Sequence, residues 1–210
     1  LRLLGRRTLI MSDSKFDDYT RYLWREVGKR MMMSPYTGGI AASLRCADYL
    51  RFLGIDQRNI RLDAYAIVPE RVREAAGAAP APDGVPFAER NFVCVARLVT
   101  KKNHLVLLDA YARYRNDTAT PRRLILCGSG PMEAEIRVHM DRLGIADMVD
   151  IRGNLSAAEV AHELSRGLCL MLPSISEQFG IVVIEAQVMG LPTILSLNCG
   201  ARDTQIDSGV

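Results

Sequence analysis

Leu-Cys-Leu-Met-Leu-Pro-Ser-Ile-Ser-Glu-Gln-Phe-Gly-Ile-Val-Val-Ile-Glu, residues 168–185, decides the fold of this chain. The first five residues are apolar and end at a proline, as expected for a short buried strand. A helix is predicted to begin near Gly180, so a short loop joins the strand to the helix. This order of strand, loop and helix is the repeating unit of a parallel sheet covered by helices.

Two acidic side chains, Glu177 and Glu185, flank a Phe-Gly pair in this stretch. We predict Glu177 in the loop, at the positive end of the helix, and Glu185 a turn or more inside the helix. Carboxylates accept paired hydrogen bonds from sugar or ribose hydroxyls, and a helix N-terminus favours phosphate. The arrangement therefore suits a sugar nucleotide. The alternative is a pair of ordinary surface acids, because this spacing often occurs by chance.

Short apolar strands alternate with helices throughout residues 91–210. This alternation predicts a doubly wound, Rossmann-like parallel sheet that is buried on both faces. The predicted strands are 91–96, 123–127, 148–152, 168–172 and 192–197, and the predicted helices are 104–115, 131–143, 157–165 and 180–189.

Residues 77–90 are rich in Pro, Ala and Gly and are predicted to be a linker. They separate the larger unit, residues 91–210, from a partial α/β unit, residues 1–76. Within this partial unit we predict strands at 8–12, 29–34 and 60–68 and helices at 17–27 and 40–53.

Composition limits the classes of function. The chain has 210 residues, 49% of them hydrophobic, which is enough for a buried core. Its net charge of +3 is uneven, since residues 1–76 contain 14 Lys and Arg against 9 Asp and Glu. This excess allows contact with an anionic membrane but is too mild to imply nucleic acid, and a solvated helix face is the alternative. No apolar run reaches the length of a membrane span.

Five scattered cysteines without a CxxC motif indicate buried thiols in a reducing compartment, neither a disulfide framework nor a zinc site. His104, His139 and His162 lack metal-ligand spacing and are predicted to be surface or packing residues. The sequence contains no Asp-x-Asp motif, the usual two-carboxylate grip on a metal-bound diphosphate. The methionines at 31–33 are predicted to lie in a core strand.

Ligands of doubly wound sheets bind where the strands end. After the first strand of the larger unit come Arg97 and Lys102, which could clamp a diphosphate, although such a loop is often only solvated. The next loop contains Gly128 and Gly130, and glycines there permit either close approach to a phosphate or a tight turn beside a ligand loop. Glu133 would repel a pyrophosphate, which argues against a nicotinamide-dependent dehydrogenase.

Arg152 and Gly153 end the third strand of the larger unit, where backbone groups could read the edge of a base. An ordinary strand exit explains these residues equally well.

From about Phe92 onward, several motifs in order resemble the retaining glycosyltransferases of the GT-B fold, in glycosyltransferase family 4. Residues 1–76 are similar, more loosely, to the second half of the N-terminal domain of such enzymes, through Met11–Ser14 and Asp48–Gly54. The motifs of the larger unit are Val95–Leu98 with Lys101–Asn103, Leu126–Pro131, Val149–Gly153, Leu172–Ser174, Glu177–Gly180 with Glu185–Ala186, and Met189–Thr193.

The resemblance implies roles for particular residues. Arg97 and Lys102 would bind the donor diphosphate and neutralise the departing nucleotide, and Glu177 would hold hydroxyls of the transferred sugar. Phe179 and Gly180 would offer backbone contacts near the sugar and phosphates. The remaining donor-binding positions are Glu185 at the ribose, Arg152 beside the base, and Gly130.

The resemblance also implies an activity. A metal-independent enzyme without a cofactor would transfer a hexose from a nucleoside-diphosphate sugar to a hydroxyl of a glycan, lipid or small molecule, as in polysaccharide biosynthesis. It would be cytoplasmic, with peripheral contact at the inner membrane face as a further expectation.

The chain also departs from the family pattern. The family's glycine-rich N-terminal loop is missing before Met11, and the sequence stops at Val210, so we expect a fragment. A non-catalytic nucleotide-sugar-binding module is the alternative function.

Overall fold

A computed structural model describes residues 6–62 and 64–206 of the chain. Its contacts divide the chain into two compact units. The first unit contains residues up to 66 together with 176–181 and the residues from 197 onward. The second unit contains residues 67–175 and 182–196. This division differs from the boundaries predicted at residues 76 and 90, because residues 67–90 belong to the second unit.

The first unit contains a parallel sheet of three strands in the order β1-β2-β3. Its helices pack around a small core that includes Ala41, Cys46, Leu50 and Ile55. The strands are β1 (Leu9–Ser12), β2 (Gly38–Ala41) and β3 (Ile60–Arg61), and the helices are α1 (Leu23–Met33), α2 (Leu44–Phe52) and α8 (Ala201–Ile206).

The strand predicted at 29–34 is wrong, because these residues continue helix α1. The helix predicted at 17–27 begins only at Leu23. A helix places Glu26 and Lys29 on one face, where their side chains form a 2.8 Å ion pair that a strand would separate. The prediction of a methionine core strand is also wrong, since Met31 and Met32 are each 72% exposed.

The second unit contains a five-stranded sheet in the order β6-β5-β4-β7-β8, with every pair parallel. The doubly wound α/β prediction is confirmed, because the sheet is wholly parallel and helices connect its strands, as in the solved structures of the same fold. The strands are β4 (Asn91–Val95), β5 (Leu124–Cys127), β6 (Val149–Gly153), β7 (Gly167–Leu172) and β8 (Thr193–Leu195). The helices are α3 (Pro69–Ala76), α4 (His104–Asn116), α5 (Glu133–Leu143), α6 (Ala157–Ser165) and α7 (Val182–Val188).

The predicted linker, residues 77–90, lies on the second unit. Ala81 donates its amide to the carbonyl of Met189 at 2.9 Å. Arg90 is only 3% exposed, and its guanidinium donates to the carbonyls of Asp83, Val85 and Gly167. These bonds fold the Pro- and Gly-rich segment back onto the sheet instead of leaving it extended.

All five cysteines are buried, as predicted. Burial raises the pKa of the Cys127 thiol to about 12, because the thiolate would lose its hydration. No helix of the described residues is both long and apolar enough to cross a bilayer.

Candidate functional site

The strands of the second unit all end at the same edge of the sheet, because every pair is parallel. β5 and β6 lie on one side of β4, whereas β7 and β8 lie on the other. The chain therefore reverses its direction of winding between β4 and β7. The loops that follow these two strands border the crevice where doubly wound proteins bind their ligands.

The loop after β4 contains both predicted diphosphate-binding cations. Arg97 is exposed and Lys102 is half-buried in a short 3-10 turn, Thr100–Lys102. Asn103 then ends the turn in the left-handed region, with φ 59°. This conformation turns the backbone sharply into α4.

Two hydrogen bonds join the loop after β4 to the loop after β7. The Asn103 side-chain amide donates to the carbonyl of Pro173 at 3.2 Å. The amide of Ile175 donates to the carbonyl of Lys101 at 2.8 Å. The two loops that flank the crevice are thus held against each other next to the cations.

The glycines after β5 have a packing role. A Cβ on Gly128 would overlap the carbonyl oxygen of Ala96, and one on Gly130 would overlap that of Leu98. Leu98 donates its amide to the carbonyl of Ser129 at 2.9 Å, which brings the two loops together. These contacts support a tight turn beside the ligand loop, while the donor contact of Gly130 stays a prediction.

Arg152, at the end of β6, is engaged by acidic side chains of its own unit. Its guanidinium lies 3.5 Å from Glu163 of α6 and 3.9 Å from Asp150. Its predicted place beside a base stays a prediction. Since the side chain is engaged, a contact with the base would have to come from the backbone around Gly153.

Glu185 lies in the first turn of α7 and is half-buried. Burial raises the pKa of its carboxyl, since the charged form loses hydration. A carboxylate in such surroundings gains more from a hydroxyl donor than an exposed one does.

The loop with the other predicted residues, 176–181, belongs to the first unit. The carbonyl of Glu177 accepts hydrogen bonds from the Lys15 ammonium at 2.7 Å and from the amide of Gly200 at 3.3 Å. Phe179 is buried, with its ring centroid 4.9 Å from that of Tyr65. Gly180 has φ +93°, which a residue with a Cβ rarely adopts.

Further polar residues of the first unit surround this loop, and sequence reasoning did not single them out. Asp13 accepts from the side chain of Gln178 at 3.3 Å and from the hydroxyl of Tyr65 at 2.9 Å. Burial and this carboxylate raise the pKa of Tyr65 to about 12. The position of Asp13, immediately after β1 and within the Met11–Ser14 motif, was the available signal.

Arg45 of α2 joins the chain's C-terminal segment to the rest of the first unit. Its guanidinium donates to both carboxylate oxygens of Asp203, at 3.0 and 2.9 Å, and to the carbonyl of Cys199 at 2.7 Å. It also donates to Asp17 at 2.7 Å. The planar guanidinium of Arg45 thereby fixes the backbone of Cys199, which pairs with Glu177.

The predicted site residues belong to two different units. The first unit contains Glu177, Phe179 and Gly180, and the second contains the other five residues. Within the second unit, adjacent loops carry Arg97, Lys102 and Gly130. The described residues contain no group of three or more His, Cys, Asp or Glu side chains that could hold a metal ion.

The parallel sheets and their connections define a Rossmann-like α/β protein with the fold of the GT-B glycosyltransferases. Residues 82–209 match the family described as glycosyl transferases group 1, and the chain belongs to that family.

A curated relative is the D-inositol 3-phosphate glycosyltransferase of Streptomyces bingchenggensis strain BCW-1, which is 30% identical over 182 residues. The match covers 81% of this chain and 40% of the relative. The lipopolysaccharide outer core galactosyltransferase WaaB in its apo form has a similar fold, with a TM-score of 0.69, 23% identity, and coverage of 96% of this chain and 53% of WaaB.

HepE from Anabaena, in complex with UDP and glucose, has a TM-score of 0.64 and 18% identity, with coverage of 96% of this chain and 56% of HepE. The chain thus spans about half the length of these solved structures and less of the curated relative.

Proposed function

We propose that this chain is the donor-binding part of a retaining glycosyltransferase of family 4, which transfers a hexose from a nucleoside-diphosphate sugar to a hydroxyl acceptor. The observation that carries the proposal is that hydrogen bonds join the loops after β4 and β7 of the second unit, between which the direction of winding reverses. Arg97 and Lys102 lie on the loop after β4. Membership in the glycosyl transferases group 1 family supports the same reaction class.

Arg97 and Lys102 act on the leaving group. Departure of a nucleoside diphosphate leaves negative charge on its phosphates, and fixed cations beside that charge stabilise the transition state. Arg97 supplies a planar fork and Lys102 a compact charge. Two cations can perform this task without a metal ion or cofactor, so we propose a metal-independent enzyme.

Glu185 and Glu177 bind hydroxyl groups. We assign Glu185 to the ribose, because its half-buried carboxylate is stabilised by hydroxyl donors, and Glu177 to the transferred sugar. Phe179 and Gly180 present their backbone next to Glu177, and the backbone around Arg152 borders the base. We expect Glu177→Ala to abolish transfer in the complete enzyme and Glu185→Ala mainly to weaken donor binding.

Thermal unfolding with a panel of UDP-, GDP- and ADP-sugars and NAD tests the donor site. A ligand that binds only the folded chain stabilises it by about 2.7 kcal/mol at a concentration of 100 times its Kd. We expect one nucleotide sugar to raise the Tm. Glu185→Gln should remove most of this rise, whereas Glu135→Gln, a matched change on the exposed surface of α5, should not.

The panel also separates the alternative functions. Stabilisation by NAD alone would support a dehydrogenase and contradict the proposal. If the complete enzyme binds a nucleotide sugar without any transfer, the chain is a binding module. The anomeric configuration of the product, followed by NMR, decides between retention and inversion.

We further propose that the acceptor lies at a membrane surface, which the first unit contacts through α1. The Arg25 guanidinium lies 5.0 Å from the ring centroid of Trp24 and 5.4 Å from that of Tyr22. Aromatic and arginine side chains together favour an anionic bilayer surface, and residues 1–76 have an excess of basic residues. The exposed apolar residues of α1, between 52% and 78% accessible, are Leu23, Trp24, Val27, Met31 and Met32.

Co-sedimentation with vesicles tests this contact. We expect the chain to bind vesicles of phosphatidylglycerol and phosphatidylcholine, and Trp24→Glu to reduce the bound fraction several-fold. Val138→Glu changes an equally exposed apolar residue of α5 and should leave binding unchanged. No binding by the wild-type chain, or equal loss in both variants, would contradict the membrane contact.

A further inference from the structure

Lys15 is a fully buried cation whose long-range partner is the loop that carries Glu177. Its side chain is 1% exposed, and the Asp18 side chain beside it is completely buried. The ammonium donates to Asp18 Oδ1 at 2.6 Å and to the carbonyl oxygen of Glu177 at 2.7 Å. These two partners are 3 and 162 residues away along the chain.

Stability alone does not explain this arrangement. A buried ion pair recovers little more than the hydration free energy that its charges lose, and apolar residues of similar volume are often equally stable. An ammonium has three donors, and Asp18 uses one of them. A second donor is directed at a main-chain oxygen of the first unit's loop 176–181, where a charged donor makes a strong hydrogen bond.

The bond from Lys15 fixes the peptide group between Glu177 and Gln178. The same carbonyl accepts from the amide of Gly200, and the side chain of Gln178 donates to Asp13. With the peptide plane held at these points, the Cα of Glu177, which lies in that plane, is held in place, and this limits the positions that its side chain can reach. A shift of about 1 Å in a binding group can reduce activity as much as 100-fold, so such support matters for function.

We propose that Lys15 is a positioning residue for Glu177 and thereby determines affinity for the sugar half of the donor, without affecting the nucleotide half. This inference rests on the proposed function, in which Glu177 holds sugar hydroxyls. Lys15 itself touches neither the sugar nor the phosphates in this assignment, and acts through the Glu177 carbonyl.

The test compares the double variant Lys15→Met, Asp18→Asn with the wild-type chain. Lys15→Met alone would leave the Asp18 carboxylate buried without its cation, whereas Asn at 18 removes that charge and keeps an acceptor for the amide of Lys15. Calorimetric titration measures Kd for UDP-glucose and for UDP, or for the corresponding GDP or ADP pair that the panel selects. We expect about tenfold weaker binding of the nucleotide sugar and an unchanged Kd for the free nucleotide.

Lys29→Met is the matched control. Lys29 also forms an ion pair with a buried acid, Glu26, and bonds to Tyr49, and both of these partners lie outside the loop 176–181. It should lower stability and leave both Kd values unchanged. Equal Kd values for the sugar nucleotide in the double variant and the wild type would overturn the positioning role. A wild-type chain that binds neither probe would instead reject the proposed function, and this inference with it.

Hydrogen exchange provides a second measurement that needs no ligand. We expect the peptide that covers residues 176–181 to exchange faster in the double variant than in the wild type, and to be unaffected in Lys29→Met. Unchanged exchange in the double variant would show that Lys15 does not hold the loop, and would overturn the inference.

Discussion

At the scale of single residues, His104 has the clearest consequence for pH dependence. The residue begins α4, is 1% exposed, and neither ring nitrogen has a hydrogen-bond partner among the described residues. Burial, and secondarily the charge of Lys102, lower its pKa to about 4. The sequence predicted either a surface or a packing histidine at this position, and His104 is a packing residue.

The direction of the pH effect follows from this lowered pKa. Between pH 6.5 and pH 4 the unfolded chain binds a proton at His104 that the folded chain does not bind. Its contribution to stability is therefore fully present above pH 6.5 and is lost as the pH falls towards 4. We expect urea unfolding to show a loss of about 2 kcal/mol from this residue between pH 7 and pH 5. His104→Leu should remove that part of the slope, and an unchanged slope would contradict the assignment.

Asn103 is the second residue with a measurable role. Its positive φ and its bond to Pro173 both help to hold the loop after β4 against the loop after β7. Asn103→Gly keeps the backbone conformation and loses one hydrogen bond, at a cost of about 1 kcal/mol. Asn103→Ala also strains the backbone, which adds about 1 kcal/mol. Urea unfolding of the two variants should show this difference, and equal losses would contradict a conformational role for Asn103.

At the scale of elements, α3 belongs to the second unit, although the sequence suggested the N-terminal one. Its last residue, Ala76, is buried, and the carbonyl of Ala76 lies 3.3 Å from the imidazole of His162 on α6. Ala76→Asp should therefore lower the free energy of unfolding by about 3 kcal/mol, because it buries a charge. Ala75→Asp changes the exposed neighbour and should cost less than about 0.5 kcal/mol. Similar values for the two variants in urea unfolding would argue against the packing of α3 on α6.

The elements that the sequence predicted well are those with strong periodicity. Every strand and helix predicted for residues 91–197 is present, and α6 has the predicted bounds, because buried parallel strands are continuous apolar runs between capped helices. The helix predicted from Pro131 begins at Glu133, since Met132 donates its amide to Leu98 and the turn is not yet helical.

Predictions failed where tertiary contacts decide the structure. The inward face of α1 is polar, with Glu26 and Lys29 bonded to Tyr49, and its apolar side chains are exposed. In the sequence, the run of methionines at the end of this helix therefore resembled a buried strand. The role of Lys15 could not be predicted either, because its partner Glu177 lies 162 residues away and no local pattern reports the contact. The steric need for a glycine at position 130 could not be predicted either, because the backbone of Leu98 approaches this position only in the folded unit.

At the scale of the whole molecule, the proposed mechanism stabilises the leaving diphosphate with cations and dipoles. A chelator should therefore leave the binding of the nucleotide sugar unchanged. We expect the Kd for the nucleotide sugar selected by the panel to be the same in EDTA and in millimolar Mg²⁺. A loss of affinity in EDTA that Mg²⁺ restores would indicate a metal-bound diphosphate and contradict the metal-independent mechanism. Arg97→Gln should weaken binding of the nucleotide in both solutions, because a phosphate partner is lost.

The five buried thiols give the molecule an internal reporter of opening. An alkylating reagent attacks the thiolate, and the raised pKa of Cys127, Cys46 and Cys169 leaves little thiolate in the native state. Each cysteine becomes reactive when its surroundings unfold, with Cys46 and Cys199 in the first unit and Cys94, Cys127 and Cys169 in the second. Mass spectrometry of alkylated peptides would therefore reveal whether the two units open together or one before the other.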